Sequence, residues 1–113
     1  MKKKVFAATI GLTLAAATAL VHAKMNADEI TAAQGAFANS GCTACHSATD
    51  TVVGPSLKDI AKRYKGKKVE AEIADRIREG STGRWGDGMH PANGGVEPDD
   101  AKLLAKWILN GAP

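Results

Sequence analysis

Large apolar side chains are scarce in this chain: its 113 residues include two Phe, two Trp and one Tyr. Phe6 falls in the N-terminal apolar run, which leaves Phe37, Tyr64, Trp85 and Trp107 to build a core. A small domain with so thin a core is marginal without a disulfide, a metal or a bound group that supplies apolar area. Cysteine is scarcer still. Cys42 and Cys45 are separated only by Thr43-Ala44, so no disulfide can close a long loop. Low-complexity tracts, internal repeats and runs of alternating β-branched residues are also lacking, which argues against a sheet protein or a repeat array. These absences together point to a cofactor as the missing part of the core.

An excess of one charge is lacking too, once the N-terminus is set aside. The formal charge of +3 comes from Lys2, Lys3 and Lys4, because the remaining basic residues equal the 12 acidic ones. Residues 24–113 are therefore neutral, and the basic pI gives no support to a nucleic-acid or membrane-surface partner. The three lysines precede an uncharged run from Val5 to Val21, and Val21-His22-Ala23 offers small residues for cleavage. This is the pattern of a secretory signal peptide, expected to be removed after Ala23. A membrane anchor is the alternative, but the run is shorter than the ~20 apolar residues of a spanning helix and rich in Ala and Thr. The expected organisation is a cleaved segment 1–23 and one domain, 24–113, exported to the periplasm as a soluble protein.

The domain reads as helix, loop, helix, helix, long loop, helix. The first helix spans about Ala27 to Asn39, with Asn26 and Glu29 spaced as a capping box and Ile30, Ala33 and Phe37 on one stripe. A short helix after Pro55 carries Leu57, Ile60, Ala61 and Tyr64 and stops at Gly66. Val69, Ile73 and Ile77 share the face of a third, with Gly80 where a left-handed cap is expected. Pro98, Asp99 and Asp100 suit the first turn of the last, which continues through Leu104 and Ile108 to Asn110-Gly111.

What the helices surround is indicated by Cys42-Thr43-Ala44-Cys45-His46, which reads as C-x-x-C-H, the attachment pattern for c-type haem. Two thiols about one turn apart can each add to a vinyl group of one porphyrin, and the next imidazole then falls beneath the iron. A thioredoxin-like dithiol would want a βαβ context, and a zinc site would want further ligands, whereas no other cysteine exists. A short structural disulfide leaves His46 unexplained.

The chain resembles the short bacterial class I cytochromes c. The matching stretches are Gly41-Cys42-Thr43-Ala44-Cys45-His46, Val53-Gly54-Pro55-Ser56-Leu57, Ile60 to Tyr64, Arg76-Ile77, Gly80-Ser81-Thr82-Gly83, Trp85-Gly86 and Ala101 to Ile108. The resemblance implies an all-α fold of four to five short helices around one covalently bound haem, with the first and last helices crossing and one haem edge exposed. It makes His46 the proximal iron ligand and the Pro55 carbonyl the acceptor of its other ring N–H, a bond that fixes the tautomer. It also implies that Trp85 and Arg76 lie near a haem propionate.

The sixth iron ligand is where the chain departs from its relatives, which place Met in a Trp-Gly-x-x-Pro-Met-Pro-Ala/Pro-Asn segment. Here the segment is Trp85-Gly86-Asp87-Gly88-Met89-His90-Pro91-Ala92-Asn93. Aligned without a gap, the shared ending puts His90 at the ligand position; Met89 requires a one-residue shift, which Gly86 and Gly88 would ease. The family's chemistry puts Met89 first, and register makes His90 the competing alternative. With both axial positions filled, electron transfer is the expected work, between redox partner proteins and by a monomer; the expectation is that the chain is not an enzyme. A gas-binding or weakly peroxidatic haem protein is the alternative and requires a displaceable sixth ligand; a dithiol exchange protein is disfavoured by His46. Lys62, Arg63, Lys65, Lys67 and Lys68 form a basic cluster suited to steering an acidic partner.

Overall fold

The computed structural model describes residues 11–13 and 24–113. Apart from residues 11–13, the expected signal segment and its cleavage point lie outside the described residues. Among the described residues no helix is long and apolar enough to cross a membrane.

Four α-helices carry the domain: α1 Ala27–Asn39, α2 Leu57–Arg63, α3 Glu70–Glu79 and α4 Pro98–Leu109. Their starts are chemically marked. Asn26 accepts from the Glu29 amide at 2.9 Å while the Glu29 carboxylate accepts from the Asn26 amide at 3.0 Å, completing the expected capping box of α1. Ser56, wholly buried, caps α2 by accepting from the Asp59 amide at 3.0 Å. Pro98 opens α4 with Asp99 and Asp100 beside it in the first turn. Val69 stands just before α3 as its cap rather than inside it.

Helix α4 is the spine, packing against α1, α2 and α3. Its inner face supplies Ala101, Leu104, Ala105, Trp107, Ile108 and Leu109, all buried. Phe37 of α1 meets the Trp107 ring at 5.3 Å between centroids, and Lys106 Nζ lies 2.8 Å from Glu29 Oε1. The Trp107 indole N–H donates to the Pro113 carbonyl at 2.8 Å, closing the C-terminus back over α4.

Two features are additional to the helices. Cys42–Ala44 form a 3-10 turn entered through Gly41, whose φ of 76° lies in the left-handed region. Strands β1 (Ser81–Thr82) and β2 (Met89–His90) pair antiparallel, Ser81 opposite His90 and Thr82 opposite Met89. The sequence shows no sheet pattern there, because two residues are too few for alternation to register.

Candidate functional site

Among described large side chains only Leu104 is fully buried, so the interior is thin where the four helices meet. The space is a cleft of about 290 Å³, a scale at which small molecules and cofactors bind. Its lining includes the haem-site candidates Cys42, Cys45, His46, Pro55, Arg76, Trp85 and His90, with Met89 at the rim. Phe37, Leu57, Ile60, Ile73, Ile77, Leu104 and Ile108 supply its apolar lining.

One wall is built by the 3-10 turn. The His46 amide donates to the Cys42 carbonyl at 3.0 Å, which folds both half-buried thiols and the imidazole onto one compact turn. Burial pushes the Cys42 thiol above its ordinary pKa, outweighing a hydrogen bond within its own residue that acts the other way. A raised thiol pKa is the opposite of what a thiol-exchange centre needs. The His46 ring is then fixed by its surroundings. Its Nδ1 lies 2.7 Å from the Pro55 carbonyl oxygen. A carbonyl can only accept, so Nδ1 carries the proton, which makes Nε2 the nitrogen that can ligate a metal. Gly54 packs flat on the same ring: a Cβ there would stand 2.7 Å from His46 Cε1.

The facing wall is β2. Alternation along a strand sends neighbouring side chains to opposite sides. Met89 accordingly points outward and is 72% exposed, while His90 points inward and is half-buried. The His46 and His90 rings lie on opposite walls of the cleft, 6.0 Å between centroids with planes 30° apart. His90 Nδ1 is buried and has no hydrogen-bond partner among the described residues. Burial, and secondarily the neighbouring His46, hold the His90 pKa below its ordinary value, which favours the neutral imidazole that binds metals.

The remaining candidates border the cleft with partners of their own. The Arg76 guanidinium donates to the Tyr64 hydroxyl at 3.1 Å and pairs with Glu72 one turn away on α3. Trp85 sets its ring edge-on to Tyr64 at 6.5 Å, and the Arg63 guanidinium covers it at 4.3 Å while donating to the Arg84 carbonyl. Sequence reasoning used Tyr64 only as a helix residue and did not single out Gly54. Tyr64 carried a usable signal, a hydroxyl on the buried face of a short helix; Gly54 carried none.

A thin apolar interior, a Cys-Cys-His turn on one wall and a half-buried imidazole with an unpartnered Nδ1 opposite fit an iron porphyrin attached through two thioethers. Comparison with known proteins agrees with this class of site. Residues 30–112 match the cytochrome c family, and the chain belongs to it, as a short, mostly helical class I member. It is 47% identical over 75 residues to cytochrome c-551 of Pseudomonas aeruginosa, covering 66% of this chain and 71% of that one. Against cytochrome c-552 of Nitrosomonas europaea it is 43% identical over 98 residues, covering 86% of this chain and 90% of the relative. The crystal structure of wild-type Nitrosomonas europaea cytochrome c552 superposes with a TM-score of 0.65 at 44% identity, covering 68% of this chain and 96% of that one. Family membership carries covalent c-type haem and electron transport with it.

Proposed function

We propose that this chain is an exported, periplasmic one-haem electron carrier whose folded domain is 24–113 after removal of segment 1–23. Cys42 and Cys45 hold the haem as thioethers and His46 is the proximal iron ligand. Pro55 orients that ligand through the Nδ1 bond, and Arg76 and Trp85 supply donors toward the haem carboxylates. One observation carries the reading: a His46 imidazole locked by Pro55 at 2.7 Å, with a second side chain closing the opposite wall of the cleft. A closed sixth position leaves no coordination site for a substrate, so what the protein contributes is burial of the porphyrin, tuning of its potential and control of its exposed edge.

The partner side of the reading rests on charge. Lys62, Arg63, Lys65, Lys67 and Lys68 are all exposed, and Arg63 lies over Trp85 at the cleft rim. A basic patch beside the cleft suits transient docking of an acidic redox protein, with the effect felt in the association rate. Stopped-flow oxidation of the reduced holoprotein by an acidic redox protein is the test. The expected outcome is rapid second-order electron exchange that slows as ionic strength rises, with no carbon monoxide adduct on the reduced form. Rapid carbon monoxide binding to the wild type would overturn the carrier assignment, and a salt-independent rate would remove the basic patch from it.

A further inference from the structure

The relatives' pattern puts a methionine at the sixth position, yet the structure orients this chain's two candidates in opposite senses. We infer that His90, not Met89, is the sixth iron ligand, making this a bis-histidine carrier. The inference rests on the haem-carrier reading above and specifies it.

Three independent observations carry it. The first is separation. Two metal–imidazole bonds of about 2 Å each, plus the half-width of each ring, add up to roughly 6 Å between ring centres. The His46 and His90 centroids are 6.0 Å apart. The second is the state of the ring. Among the described residues His90 Nδ1 is buried without a partner, an arrangement that a core histidine normally avoids by finding one. Such an orphaned nitrogen fits a ring whose bonding is completed by a bound group.

The third is register. Moving Met89 inward requires β2 to slip by one residue, because a one-residue slip exchanges the two faces of a strand. Both sides of β2 resist that. On one side, Gly80 at φ 82° leaves just enough room for the backbone of the next segment: a Cβ on it would lie 2.7 Å from the His90 carbonyl oxygen and 2.9 Å from the Ala92 nitrogen. Beyond it, the Asn93 amide donates to the carbonyls of Ile77 at 3.2 Å and Arg78 at 3.1 Å, and its side chain donates to the Ser40 carbonyl at 2.9 Å. Asn93 thus ties the segment to both α3 and the turn that carries Cys42. His90 is held inward from both ends, and Met89, 72% exposed, is left at the rim.

The chemical consequence is a lower reduction potential than a Met/His site would give, since the thioether favours ferrous iron and a second imidazole favours ferric. The matching partners are donors and acceptors of correspondingly low potential.

The test uses the purified wild-type holoprotein with two variants. The ferric wild type is expected to lack the weak long-wavelength band of an iron–thioether bond. Met89→Leu is expected to leave spectrum and midpoint potential unchanged. His90→Met, which keeps a ligand at the position, is expected to create that band and to raise the potential. A wild type that shows the band and loses it on Met89→Leu overturns the inference while leaving the haem-carrier reading intact. Absence of covalent haem from the wild-type chain on a denaturing gel would overturn both.

Discussion

A methyl group on Gly54 would lie 2.7 Å from His46 Cε1 and 3.1 Å from Nδ1, closer than nonbonded atoms sit. The ring cannot yield freely, because the same Nδ1 is 2.7 Å from the Pro55 carbonyl. Gly54→Ala therefore forces a choice between rotating the imidazole and lifting the 54–55 backbone. Overpacking of this kind costs typically about 1–3 kcal/mol. The expected outcome is a lowered melting temperature together with a shifted haem spectrum, measured on the purified holoprotein. An unchanged spectrum with a lowered melting point would show that the backbone moves and the ligand does not. Gly54 was invisible as a site residue because its contribution is the absence of an atom. Cys42, Cys45 and His46 stand out as candidates because the chemistry they suggest depends on spacing along the chain, and the structure brings them onto one wall of the cleft. Met89 and His90 were both legible as candidates, but the choice between them depends on which way a two-residue strand faces. Pairing with residues 81–82 and anchoring at Asn93 decide that, and neither appears in a local pattern.

Elements differ in the same way. The start of α1 could be read directly, because the Asn26–Glu29 box spans four residues and needs nothing from elsewhere. Helix α4 could be read from its proline, its two acids and its apolar stripe, and all of these do in the structure what they suggest. The β1–β2 hairpin could not, although Gly80 stands out in the sequence just before it. Its place after Glu79 suggests a left-handed helix cap; its φ of 82° and ψ of 175° place it instead in an extended region open essentially to glycine alone. Its role reaches past α3 to the seating of β2. Gly80→Ala should cost on the order of 1–3 kcal/mol from backbone strain, with the contact to the His90 carbonyl added to it. The variant is expected to unfold at lower denaturant concentration and to bind added imidazole at the iron, because β2 no longer holds its inward residue in place. Spectral titration with imidazole, set against the denaturant curve, separates loss of the hairpin from general destabilisation.

At the scale of the whole molecule, the fold is legible as an argument about what is missing. Four aromatic side chains serve the domain, and of these Trp85 is 37% exposed at the rim while Phe37 is only partly buried. Helices α1, α2 and α3 each lean on α4, and their apolar residues Phe37, Ile60, Ile73 and Ile77 face the cleft. Those side chains are positioned to contact a flat apolar body, and without one they border water. Folding free energy for a single domain is only about 5–15 kcal/mol, so losing the largest apolar element is expected to cost a large share of it. Cys42→Ser combined with Cys45→Ser removes both attachment points while leaving His46 in place. The double variant is expected to accumulate at a small fraction of the wild-type level, with weak helical circular dichroism and no cooperative melt. A soluble, helical double variant that melts in one sharp transition would show that α4 and its neighbours suffice without the covalent group. The thin core would then be a feature of the cleft and not a condition of folding. The single variants refine the outcome: if one thioether still retains the haem, each should fold with an intermediate melting point, because one covalent bond still keeps the porphyrin against the His46 wall.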